Sequence, residues 1–143
     1  MSDRRRSLWT LVFASFGLAA LLTWAGCAPG VDGMRQAITN TAVTVAAGYK
    51  TLGAVDLQVQ TRIRLQAKSD PKAATAALDE HIRRYDIAAK ALDAAAAAVS
   101  TANAAVPLVE KGAAKEKNAG AWIADLIAVG LRVAAALKDL GVL

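Results

Sequence analysis

Two residues carry side-chain chemistry found nowhere else in this chain: Cys27, its one thiol, and His81, its one imidazole. Imidazole is the side chain that ordinarily serves as a base near neutral pH. It stands in the run Asp79-Glu80-His81-Ile82-Arg83-Arg84-Tyr85-Asp86. A catalytic or metal-binding role would need partners converging from other segments, because one histidine among scattered carboxylates lacks the spacing of a zinc site. On a helix the same run reads as a solvated face, with Asp79 and Arg83, and Glu80 and Arg84, each four apart as ion pairs. No nucleophile motif, glycine-rich phosphate loop or paired-carboxylate pocket is legible. Gly112, Gly120, Gly130 and Gly141 are too dispersed to cradle a phosphate. The expectation is therefore no enzyme, no catalytic residue, no metal and no cofactor, and no small-molecule substrate.

Cys27 takes its meaning from what precedes it. Arg4-Arg5-Arg6 opens the chain, an uncharged apolar run extends from Leu8 to Ala25, and Trp24-Ala25-Gly26-Cys27 closes it. Clustered arginines resist translocation, so this order keeps the N-terminus on the cytoplasmic side and sends the remainder across. The order resembles a bacterial lipoprotein signal. The resemblance covers residues 1–28 and implies a lipid on the Cys27 sulfur with signal cleavage between Gly26 and Cys27. It further implies a protein facing the periplasm, held by acyl chains. By the same resemblance, Ala28 after the cysteine implies the outer membrane over the inner. Trp24 departs from the aliphatic residue usual three positions before the cysteine. The apolar run is also long enough for an uncleaved single-span anchor at the inner membrane, since about 20 apolar residues cross a bilayer. Trp9 and Trp24 sit where interfacial anchors of such a helix would lie.

Removing residues 1–26 leaves enough chain for one domain. That part carries 14 Lys and Arg against 11 Asp and Glu, alternating in sign with no basic block. Nucleic acid is accordingly not an expected partner. Alanine dominates from Ala37 onward and strand-like alternation is absent, so the expected fold class is all-α.

Punctuation divides the mature part. Residues 27–33, with Pro29, Gly30 and Gly33, read as a lipidated cysteine and flexible neck ahead of a helical domain at 34–143. Ser69-Asp70-Pro71 reads as a helix start, a capping side chain followed by proline at the first helical position. Pro107 reads as a second break. Three helical segments result, 32–68, 70–105 and 107–141.

The first segment spaces Ile38, Ala42, Val45, Tyr49, Leu52, Asp56, Val59 and Ile63 alternately by four and three. Leu78, Ile82, Tyr85, Ala89, Leu92, Ala96, Val99 and Asn103 do the same in the second. Two such repeats are the seams of an antiparallel, coiled-coil-like hairpin. Folding it about Lys68-Ser69 sets Ile38 near Val99, Val45 near Leu92, Leu52 near Tyr85 and Tyr49 near Ala89. Ala94 to Ala98 would let the backbones approach closely. Asp56 interrupts the first seam and is expected to pair with Arg84 or His81, because an unpaired buried carboxylate is costly.

In the third segment Ile123, Leu126, Ile127, Gly130, Leu131, Ala134 and Leu137 form one broad apolar face. Asp125, Arg132 and Asp139 line a polar stripe that argues against a second membrane span. This helix is expected to complete a three-helix bundle. Alternatively its apolar face, with Trp122, Ile123, Leu126 and Ile127, meets a partner or a membrane. The functional expectation is a membrane-anchored structural or adaptor module of the bacterial envelope that associates with an envelope protein or with itself. The alternative is a lipid-interacting protein using the amphipathic helix 121–140.

Overall fold

The computed structural model describes residues 30–112 and 116–141. The leader, Trp9, Trp24, Gly26 and Cys27 lie outside them. Three helices follow one another: α1, Val31–Gln66; α2, Pro71–Glu110; and α3, Glu116–Asp139. All three pack against each other, and no strand occurs among the described residues, so the fold is an all-α three-helix bundle. Met34 clusters with Val106 and Leu126, and Leu52 with Ala88 and Leu140, which runs α2 antiparallel to both neighbours.

The turn between α1 and α2 is built from local hydrogen bonds. Ala67 N–H donates to Ile63 O at 2.9 Å, and Ser69 N–H and Oγ both donate to Gln66 O, at 3.0 and 3.1 Å. Asp70 then caps α2, its carboxylate accepting Ala73 N–H at 2.9 Å, with Pro71 at the first helical position. Such a cap is typically worth about 1 kcal/mol. The expected helix start is found at this point.

Three boundaries differ from expectation, one of them the start of α3, which lies at Glu116 and not at 107. Gly33 lies inside α1 and is buried, so the helix begins at Val31 and runs through the end of the anticipated neck. Pro107 does not end α2, which continues to Glu110. Proline withholds one donor and crowds the preceding turn, but Val106 and Val109 on either side of it are buried and hold that last turn in the core. Gly112 makes the stop instead. Its φ of 67° is one that side-chain-bearing residues rarely adopt, and Lys111 and Gly112 return hydrogen bonds to Pro107 O and Val109 O, at 3.1 and 3.0 Å.

The core has two ends. One gathers Met34, Ala37, Ala102, Ala105, Val106, Val109, Ala119 and Leu126; the other Val45, Leu52, Ala88, Leu92, Ala95, Val133, Leu137 and Leu140. Burial runs through Ala37, Thr41, Thr44, Gly48 and Leu52 on α1, and through Ala74, His81, Ala88, Leu92, Ala95 and Ala102 on α2. Much of each expected seam is thus displaced by one residue. Tyr49, Leu78, Ile82 and Asn103 are exposed, and of Ala94–Ala98 only Ala95 is fully buried. A third helix turns each hairpin helix toward two neighbours at once, so its buried direction lies between two seams. Thr41 and Thr44 tolerate burial because their hydroxyls donate to Ala37 O and Asn40 O, at 2.8 and 2.9 Å.

Gly48 shows how closely the pieces fit. A Cβ placed there would overlap Leu92 Cδ2 and lie 3.6 Å from Leu92 Cγ, so α1 leaves a notch that Leu92 fills. Leu92 is fully buried, worth roughly 1.5–3 kcal/mol relative to exposure.

Candidate functional site

His81 and Asp56 come together across the α1–α2 seam. His81 Nε2 stands 2.9 Å from Asp56 Oδ1, and Gln60 Nε2, one turn further along α1, donates to both carboxylate oxygens at 3.1 and 3.0 Å. The carboxylate can only accept, so the imidazole hydrogen belongs on Nε2. His81 is buried and Asp56 partly open to solvent, at a shallow pocket also lined by Leu78, Ile82 and Tyr85. The Tyr85 ring packs beside the imidazole, centroids 6.2 Å apart and tilted by 60°. The His81 hydrogen bond holds the Asp56 carboxyl below its usual range; Gln60 adds to that effect and partial burial opposes it.

Arg84, the other expected partner of Asp56, faces elsewhere. Its Nε donates to Glu80 Oε1 at 2.5 Å and its Nη1 to the backbone carbonyl of Asp139 at 3.1 Å. A cation thereby sits on the C-terminal end of α3, where the helix dipole favours it. Arg83 reaches the same Glu80 through two bonds, at 3.0 and 2.9 Å. The paired guanidinium groups, Arg83 first, bring the Glu80 carboxyl down to about 2. Asp79, expected opposite Arg83, is not in that pair.

Two further polar contacts tie the hairpin. Tyr49 Oη donates to Asp93, so Tyr49 lies on the rim at Asp93 and not on the seam at Ala89. This bond raises the Tyr49 hydroxyl, an effect strengthened by the charge of Asp93. Arg35 pairs with Glu110 at the far end. Neither contact was legible in sequence, since each depends on the register of two long helices.

Of the residues expected to face a partner, Leu126 is 1% exposed and belongs to the core. Trp122 and Ile123 pack half-buried against the same cluster, and Ile127 is half-buried. The face turned inward because α3 lies in the groove between α1 and α2, where those side chains lose water. Val133, absent from the anticipated face, is fully buried, whereas Leu131 is 57% exposed.

A histidine held by a carboxylate can orient an imidazole for proton transfer. Here the surrounding side chains are Leu78, Ile82 and Tyr85, with no Ser, Thr, Cys or Lys among the residues that line the pocket. The arrangement is that of an inter-helical clamp. No cluster of three or more His, Cys, Asp or Glu suited to a metal occurs among the described residues. No family model, curated protein or solved structure matches the chain. Among the described residues two helices, Pro71–Glu110 and Asn118–Asp139, are long and apolar enough to cross a membrane by length and composition, a property that core helices of bundles share.

Proposed function

We propose that this protein is a lipid-tethered module of the bacterial envelope, a rigid bundle with a structural or adaptor task rather than a catalytic one. The observation that carries the reading is the junction between leader and fold. The lipobox-like Trp24-Ala25-Gly26-Cys27 ends four positions before α1 begins at Val31. Four residues of chain span at most about 14 Å, so an acyl group on Cys27 would hold the base of α1 at the bilayer surface. Two or more acyl chains make such a tether stable. A bundle about 50 Å long, at 1.5 Å per residue, then offers its exposed faces to another envelope component or to a second copy. Periplasmic orientation and the outer membrane follow from the same leader and from Ala28.

Mass spectrometry of the native protein beside a Cys27→Ser variant tests the tether. The expected native mass lacks residues 1–26 and carries acyl chains, and the variant remains unprocessed. An intact, unacylated N-terminus would overturn the lipoprotein reading in favour of a permanent span at 8–25. Cross-linking in intact membranes tests the adaptor role, which predicts a discrete heteromeric or homomeric product. A strictly monomeric protein under those conditions would count against it.

A further inference from the structure

The solvent face of α1 differs in charge from the rest of the bundle. Val43, Lys50, Leu57 and Arg64 recur every seven residues, and Leu65 and Lys68 extend their line to the turn. All six are exposed, with Val43, Leu57 and Leu65 at 56, 70 and 62%. Alanines and a glycine fill the space between them at Ala46, Ala47, Gly53 and Ala54, so little stands above the backbone there. No acid pairs with Lys50, Arg62, Arg64 or Lys68 among the described residues. Past the first-turn Asp32, the only acid of α1 is Asp56, and it is turned to His81. The acids of the hairpin lie instead on α2, at Asp79, Glu80, Asp86, Asp93 and Glu110. This unpartnered face of α1 is thus apolar and cationic together, over roughly 38 Å from Val43 to Lys68 at 1.5 Å per residue.

We infer that the outer face of α1 docks on an anionic lipid surface, laying the helix along the membrane that holds Cys27. Charge complementarity selects this occupant. Exposed leucines beside unpaired Lys and Arg are the composition of helices that rest at the headgroup boundary, the apolar side chains entering and the cations meeting lipid phosphates. On α2 the exposed Leu78, Ile82 and Ile87 stand among cations already paired, Arg83 and Arg84 with Glu80 and Lys90 with Asp86. Among the described residues of α3, Leu131 is the one large apolar side chain exposed, so neither helix offers the same combination. The inference rests on the tether reading for which membrane is met, and it assigns lipid contact to α1 rather than to helix 121–140.

The test uses the mature acylated protein in vesicles, with a nitroxide at Leu57→Cys or, as a control on exposed α2, at Ala94→Cys. In vesicles containing phosphatidylglycerol the Leu57→Cys label should become accessible to oxygen and shielded from an aqueous nickel complex. High salt, or vesicles of phosphatidylcholine alone, should return it to water, while the Ala94→Cys label stays wet throughout. The triple variant Lys50→Glu, Arg64→Glu, Lys68→Glu changes only exposed residues; it should stay folded, melting somewhat below the parent because cations are lost from the C-terminal end of α1, and should lose the immersion. A label at 57 that is wet in every vesicle overturns the inference. So does immersion unaffected by charge reversal, or spin–spin contact between labels of two copies regardless of lipid, which would make the face a self-association surface. An intact mass on the same preparation reads the acyl chains separately, so failure of the tether is distinguishable from failure of docking.

Discussion

Asp56 Oδ1 lies 2.9 Å from His81 Nε2, and this contact fastens α1 to α2 at a level where Gln60 also donates to the carboxylate. The pair answers the question posed by an acid on an otherwise apolar seam. Asp56 keeps its charge because it retains solvent on one side and receives three hydrogen bonds on the other.

Asp56→Asn keeps the shape and removes the charge. Charge-assisted bonds are roughly twice as strong as neutral ones, so the variant should lose about 1 kcal/mol of stability in urea unfolding. His81→Ala, which also leaves a small cavity, should lose more, about 2 kcal/mol. A double-mutant cycle giving no coupling between the two positions would show that they merely sit side by side.

The same pair predicts a pH dependence of definite sign. The native Asp56 carboxyl titrates below its usual value, so the native state binds its proton less tightly than the unfolded chain. Its contribution is therefore complete above about pH 5 and drains away as pH falls through the native value. Urea midpoints of the parent and of Asp56→Asn should converge on acidification from about pH 5 to pH 3. A gap that stays constant over that range would contradict the assignment. Glu80 titrates low as well, but on an exposed surface where ion pairs contribute little.

Two glycines of α1, five residues apart, should respond oppositely to alanine. Gly53 faces open space, and Gly53→Ala should stabilise by about 0.5–1 kcal/mol through helix propensity alone. At Gly48 the methyl would strike buried Leu92, and the overpacking, typically about 1–3 kcal/mol, exceeds that gain. Thermal melts of the two variants should move in opposite directions.

Leu126→Ala and Leu131→Ala separate the packed side of α3 from its wet side. The first empties a fully buried site and should cost about 2–5 kcal/mol. The second should stay within about 0.5 kcal/mol of the parent. Equal small effects would mean that α3 does not occupy the groove.

The sequence by itself determined the class of fold and much of its punctuation. Alanine content and the absence of strand alternation made three helices expected, and Ser69-Asp70-Pro71 marked the turn because capping is local chemistry. Asp56 could be given a short list of partners from the hairpin register alone. The tertiary structure decided which side of each helix is inside. Along an alanine-rich helix, Ala88 and Ala89, or Ala95 and Ala96, are equally willing to be buried, so a one-residue rotation costs little until the third helix arrives. Once α3 lies in the groove, the inward direction of α1 and α2 swings between two neighbours, placing Gly48 under Leu92 and sending Tyr49 to Asp93. Pro107 taught the same lesson: its local cost is real, but Val106 and Val109 bury on either side of it, and packing outweighs one missing hydrogen bond.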